Sequence, residues 1–138
     1  MTPWAHKIMP PFNNHLGFVI EEWREKHIKI SAELKPEHLN RSGIPHGGFI
    51  SALLDATTAL SGAHSDDPIY YRKALTLSLN ISYVGQAQSN EIYAIGKVTA
   101  SGRNIYYGSA EVFDSLHNLI ASGQGVFRYR KDESAAHG

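Results

Sequence analysis

"SGIPHGGFISALLDATTAL", residues 42 to 60, decides how the chain folds. A proline, a histidine and two glycines stand directly before a long apolar run, and Asp55 sits in the middle of that run. On a helix from Gly47 to Ala63, at about 100° per residue, Phe49, Ile50, Leu53, Leu54 and Leu60 fall on one side. Gly48, Ser51, Ala52, Asp55, Ala59 and Gly62 gather opposite. Little polar surface remains for water, which is the pattern of a buried helix. The bulky side is expected to pack into a sheet. The small side admits another backbone, and the same helix of a second subunit would fit there.

A buried carboxylate normally finds partners or shifts its pKa. Asp55 is therefore either a structural acid bonded to nearby main chain or hydroxyl, or a chemical group. The start of the helix favours chemistry. Pro45-His46-Gly47-Gly48 would leave free backbone N–H groups at a helix N-terminus, where the dipole also favours negative charge. Glycines let a substrate approach the main chain closely. Such a terminus can hold a developing oxyanion.

The flanks read as strands. "GFVIEEW" (17 to 23) and "KHIKISAEL" (26 to 34) precede the helix, and in the second Ile28, Ile30, Ala32 and Leu34 alternate with polar residues. After it come "ALTLSLNISYV" (74 to 84), "NEIYAIGKVTA" (90 to 100), "NIYYGSAEVFD" (104 to 114) and "LIASGQGVFRYR" (119 to 130). Turns are expected at Ser65 to Pro68, Ser101-Gly102 and Ser115 to Asn118, and a loop from Lys35 to Pro45. Residues 1 to 15 form a lead-in, with a short helix near Trp4 to Met9 halted by Pro10 and Pro11. Two strands, one long helix and four strands make an α+β order, an antiparallel sheet covering one helix. With no repeat or low-complexity stretch, residues 1 to 138 are expected to form one domain with a flexible tail from 131.

Composition narrows the function. Thirteen Lys and Arg balance thirteen Asp and Glu, against the basic excess of a nucleic-acid binder. Without cysteine there is no disulfide framework, thiolate nucleophile or thiolate metal site. The N-terminus lacks the apolar core of a secretory signal, and no run approaches the ~20 apolar residues that cross a bilayer. The expectation is a cytoplasmic protein. Eight histidines are scattered, with no His-x-His or His-Glu-x-x-His spacing, so no metal site is expected. No Gly-x-Ser-x-Gly elbow marks a serine hydrolase.

"NRSGIPHGGFISALLD" (40 to 55) resembles the acyl-CoA thioesterases of the hotdog fold, in particular the PaaI-like group. The shared pattern is Asn40, Gly43, His46-Gly47-Gly48, Leu53 and Asp55 at matching spacings, and "LTLSLNISYVGQA" resembles the strand that follows. The likeness spans roughly residues 14 to 130. It implies a sheet wrapped around one central helix, a dimer with a continuous sheet, and commonly a tetramer of two dimers. Active sites would lie at the dimer interface. The Gly47 N–H and the Asn40 side chain would polarise a thioester carbonyl, and Asp55 from the facing subunit would act as general base or nucleophile. Thr76 matches a hydroxyl residue that orients the water in some members. His46 would shape the junction beside Gly48 at the substrate.

Strand alternation by itself sets Thr76 opposite Leu75 and Leu77, the expected helix-facing set. Only a bulge or a sheet end would turn it toward Asp55. Coenzyme A belongs to such a substrate, so no separate cofactor is implied. Its phosphates want cations at the mouth, and Arg72, Lys73 and Arg103 are the candidates. Tyr70, Tyr71, Tyr106 and Tyr107 read mainly as sheet packing. Two rivals stay open: a non-catalytic acyl-CoA binding or sensing protein, and a hotdog dehydratase or hydratase. The latter wants a histidine beside the acid, whereas His64 lies nine residues beyond Asp55.

Overall fold

The computed structural model describes residues 9–67 and 71–131. Six strands form one antiparallel sheet: β1 (Val19–Arg24), β2 (His27–Glu33), β3 (Ala74–Tyr83), β4 (Glu91–Ser101), β5 (Ile105–Asp114) and β6 (Leu119–Tyr129). Their order across the sheet is β1-β2-β4-β5-β6-β3. A short helix α1 (Pro11–His15) precedes β1, and the main helix α2 (Gly47–Ser61) lies between β2 and β3. The helix expected near Trp4 to Met9 falls outside the described residues except for Met9. Pro11 opens α1 rather than stopping a helix, because a first helical position needs no N–H donor. The loop expected from Lys35 to Pro45 carries a single 3-10 turn at Pro36–His38.

One face of the sheet packs on α2. Ile28 and Ile30 of β2, Ile92 and Ala94 of β4, and Val112 of β5 close over Ile50, Leu53 and Leu54. Burial of these side chains, each contributing about 1.5–3 kcal/mol, is the main force holding the two layers. The approach is tightest at two glycines. A Cβ on Gly96 would lie 2.7 Å from the Thr57 carbonyl oxygen, and one on Gly108 would lie 2.8 Å from Thr58 Cγ2. Thr57, Thr58 and Ser61 are buried there and return their hydroxyls to carbonyls of α2 itself.

The last carbonyls of a helix lack intrahelical partners. Here strands supply them. Tyr106 Oη donates to the Ala59 carbonyl at 2.6 Å, Trp23 Nε1 to Leu60 at 2.8 Å, and Tyr129 Oη to Gly62 at 2.7 Å. Burial raises the Tyr106 hydroxyl pKa, with Tyr129 and Asp55 adding to the effect and Arg72 opposing it. Tyr106 therefore stays a protonated donor.

Strand β3 departs from simple alternation. Leu79, Ile81 and Tyr83 pair with Gly125, Gly123 and Ala121 on the helix side, as expected. Between Thr76 and Ser78 the register against β6 slips by one residue, a β-bulge at Leu77. A one-residue slip exchanges the two faces. Beyond it Thr76 pairs with buried Phe127, while Leu75 pairs with exposed Arg128. The expectation that Leu75 and Leu77 pack on the helix is thus corrected. They are 44% and 51% exposed, on a strand with one edge unpaired.

Candidate active site

Asp55 projects half-buried from the middle of α2, on the small-residue side. Thr76 Oγ1 donates to Asp55 Oδ1 at 2.8 Å. The bulge in β3 makes this bond, since without it Thr76 would sit on the outer face. A carboxylate so held keeps its second oxygen for another donor.

The helix start is built around His46. Its backbone is extended, its carbonyl accepts from Phe49 and Ile50, and its ring Nδ1 accepts the Gly48 N–H at 2.8 Å. This N-cap consumes the Gly48 donor and leaves the Gly47 N–H with no hydrogen bond to a described residue. Ser51 Oγ at 2.8 Å and Tyr83 Oη at 3.1 Å both lie within hydrogen-bond reach of the Gly47 carbonyl and of each other, so one hydroxyl donates to the carbonyl while the other donates to its neighbour. Sequence reasoning missed Tyr83 and Ser51 as supports of this junction. Their signal was present: Tyr83 ends the β3 alternation, and Ser51 lies one turn after Gly47 on the small side.

Asn40 belongs to the loop that enters α2. Its Oδ1 accepts from Ser42 N at 2.9 Å and Ile44 N at 3.3 Å, and Gly43 closes the turn at φ +78°. The side-chain NH2, the donor half of the amide, has no described partner. Buried His38 stacks on Phe49 at 4.1 Å and fixes the loop to the core.

The candidate residues thus fall into three groups. Asn40, His46, Gly47 and Gly48 surround the start of α2, and Asp55 with Thr76 marks its middle. Arg72, Lys73 and Arg103 belong to segments that run beside the end of β6. There the Arg72 guanidinium lies 3.4 Å over the Tyr129 ring, Arg130 N donates to the Lys73 carbonyl, and Tyr129 N donates to Asn104, the neighbour of Arg103. Asp55 and Gly47 do not meet within one chain. Eight residues separate them, about 12 Å of helix rise. Among the described residues no group of three or more His, Asp or Glu could hold a metal ion. His64 packs edge-on against Trp23, beyond the end of α2.

A catalytic carboxylate, an unspent helix N-terminal N–H and a free amide donor are the parts an acyl-transfer site needs. The family model of the thioesterase superfamily matches residues 42–121. This chain belongs to that family: it is a thioester hydrolase of hotdog fold.

An esterase-named protein of Archaeoglobus fulgidus is 31% identical over 121 residues, covering 82% of this chain and 71% of its own. The fold is shared with the phenylacetic acid degradation protein PaaI of Thermus thermophilus, at TM-score 0.74 and 23% identity, covering 86% of this chain and 98% of that one. A Streptococcus mutans protein solved with acetyl CoA gives TM-score 0.75 at 21% identity, covering 91% and 94%. The expected fold and the PaaI-like resemblance are borne out.

Proposed function

We propose that the protein hydrolyses acyl- or aryl-CoA thioesters to the free acid and CoA, at sites shared between two copies. The observation that carries this reading is the separation of Asp55 from the free Gly47 N–H. A carbonyl oxygen must lie within hydrogen-bond reach of its donor while the carbon lies beside the base or nucleophile. At about 12 Å along one helix, one chain cannot supply both. Two antiparallel α2 helices, each offering its small side, bring Gly47 of one to Asp55 of the other. The bare edge of β3, with Leu75 and Leu77 exposed, favours pairing on the same side of the molecule.

At such a site the Gly47 N–H and the Asn40 amide stabilise the oxyanion. Asp55 takes a proton from water as the water oxygen attacks the carbonyl carbon, or attacks that carbon itself to give a mixed anhydride that water then hydrolyses, freeing the acid and the Asp55 carboxylate. The C–S bond breaks, and the thiolate of CoA leaves and is protonated. Thr76 holds Asp55 in one orientation. His46 spends the Gly48 N–H on the junction and so leaves Gly47 as the donor for substrate. Coenzyme A is part of the substrate, and the scheme uses no other cofactor. A homodimer, two of which make a tetramer, working in the cytoplasm completes the proposal.

The test is thiol release from short, long and aromatic CoA esters, followed by subunit mixing. Asp55→Ala and Gly47→Pro should each be inactive as homo-oligomers, and co-refolded subunits should regain activity because mixed dimers hold one intact site. Turnover by the pure Asp55→Ala protein, or no rescue on mixing, overturns the shared site. Tight CoA binding by the parent protein without thiol release over hours would instead favour a binding role.

A further inference from the structure

Two peptides flank Gly47, and between them they carry four polar groups. Three of these are bound within the chain. The His46 carbonyl accepts from Phe49 N and Ile50 N, the Gly48 N–H donates to His46 Nδ1 at 2.8 Å, and the Gly47 carbonyl accepts from the Ser51–Tyr83 hydroxyl pair. The fourth is the Gly47 N–H. All of these partners except one come from residues 46 to 51. Tyr83 alone arrives from a remote segment, and its backbone is fixed. It pairs with buried Ala121 of β6, while Val84 N and Gly85 N both donate to the Ile120 carbonyl. The Tyr83 ring stands 3.6 Å from the place that a Cβ on Gly47 would take, so ring and hydroxyl both lie against this residue.

An outside hold matters because the start of α2 is intrinsically loose. First-turn N–H groups have no intrahelical acceptor, and two successive glycines leave the backbone its greatest freedom. With the carbonyls on both sides of Gly47 held, its N–H keeps one direction. From this geometry we infer that Tyr83 is a positioning residue for the proposed hydrolysis: with Ser51 as its stand-in on the Gly47 carbonyl, it fixes the direction in which the Gly47 N–H meets the substrate carbonyl. The inference rests on the proposed thioester substrate and adds to it the group that aims the oxyanion donor. Such a donor acts by being aimed before charge develops, so a looser N–H lowers kcat rather than raising KM. Two hydroxyls share one carbonyl, and either can hold it once the other is removed. Strand β3 thus sets both halves of the chemistry, Thr76 at Asp55 and Tyr83 at Gly47, from the strand whose edge is bare.

The experiment compares kcat and KM for one acyl-CoA in the parent protein, Tyr83→Phe, Ser51→Ala and the double variant, and repeats the double substitution in a Gly47→Pro background. Phenylalanine keeps the ring, and alanine suits a helix, so each chain retains its fold. Each single variant should lose at most about threefold in kcat and the double variant about 10- to 50-fold, less than the 10²–10³ expected when the donor itself is deleted. KM should stay within about twofold throughout. On the Gly47→Pro chain, which has no N–H to aim, the double substitution should change kcat less than about twofold. Amide hydrogen exchange at Phe49 and Ile50 gives a readout independent of turnover, and it should quicken at least about tenfold in the double variant and little in either single one. A double variant with the parent's kcat, an equal loss in the Gly47→Pro background, or a rise in KM in place of a fall in kcat overturns the positioning role. Unchanged exchange in the double variant removes the hold on Gly47 itself. A parent protein that releases no thiol from any ester, with the exchange difference intact, would instead sink the hydrolytic reading and leave that hold standing.

Discussion

Thr76 Oγ1 lies 2.8 Å from Asp55 Oδ1, joining the bulged edge strand to the middle of the central helix. The bond restricts a half-buried carboxylate and leaves its other oxygen able to accept from a further donor. A hydrogen bond to a charged group contributes roughly 1.5–3 kcal/mol. Thr76→Val should therefore lower kcat about 10- to 100-fold with little change in KM, and Thr76→Ser should recover most of the loss. In the proposed scheme Asp55→Asn removes the base or nucleophile and should cost about 10²–10⁴ in kcat. Steady-state thiol release separates these cases; equal kcat in Thr76→Val and the parent would refute the positioning role.

Gly47→Pro is a clean probe of the helix N-terminus. Proline suits the first helical position, and it demands an extended residue before it. His46, at φ −61° and ψ 138°, already is extended. A Cβ on Gly47 would meet the Tyr83 ring at 3.6 Å, an ordinary contact. The substitution thus deletes one N–H and little else. Its expected outcome is a rate loss of about 10²–10³ with a melting temperature at or above that of the parent. A fully active Gly47→Pro protein would show that this donor is not used.

The packing of α2 on the sheet makes a paired prediction. Gly108→Ala drives a methyl to 2.8 Å from Thr58 Cγ2 and should destabilise the fold by about 1–3 kcal/mol, as overpacking does. Thr58→Ser removes that Cγ2, so the double variant should be more stable than Gly108→Ala alone. Urea denaturation at one fixed protein concentration gives the coupling energy.

Acid sensitivity should centre on Asp114, fully buried at the β5–β6 turn. Burial by itself would raise its pKa, but the Asn118 side chain and the backbone N–H groups of Gln88, Asn118 and Leu116 outweigh that and hold it at about 2. An unfolded aspartate titrates near ~3.9. A group whose folded pKa is depressed stabilises the fold above its unfolded pKa, and that contribution disappears as pH falls through the folded value. The parent protein should therefore lose stability from about pH 4 down to about pH 2. Asp114→Asn should be less stable at neutral pH, and its deficit should narrow over that same interval. Denaturation midpoints measured across it check the slope; parallel curves would exclude Asp114 as the titrating group.

The local parts of this protein were legible in its residues. Apolar stretches set off by turns, two of them with clear period-2 alternation, marked all six strands to within two residues at either end, and the small and bulky sides of α2 followed from 3.6-residue periodicity. Gly47 stood out because glycine before an apolar run marks a helix start, and Asp55 because a charge inside such a run needs a reason. Thr76 was harder. The strand repeats without interruption through Leu75 and Leu77, and nothing in that repeat encodes a bulge, which arises only when β6 pairs against it. Tyr83 and Ser51 each carried a local signal, but their meeting did not, since thirty-two residues separate the two hydroxyls.

The sequence by itself determined the elements, the central helix with its two sides, and where on that helix the acid and the glycine stand, because each depends on neighbours within a turn or two. Tertiary structure alone decided which way Thr76 faces, that Tyr83 reaches the Gly47 carbonyl, and that Lys26 and Arg72 frame one cavity. Those are facts of register and distance between segments remote in the chain, and such relations exist only once the sheet has closed over its helix.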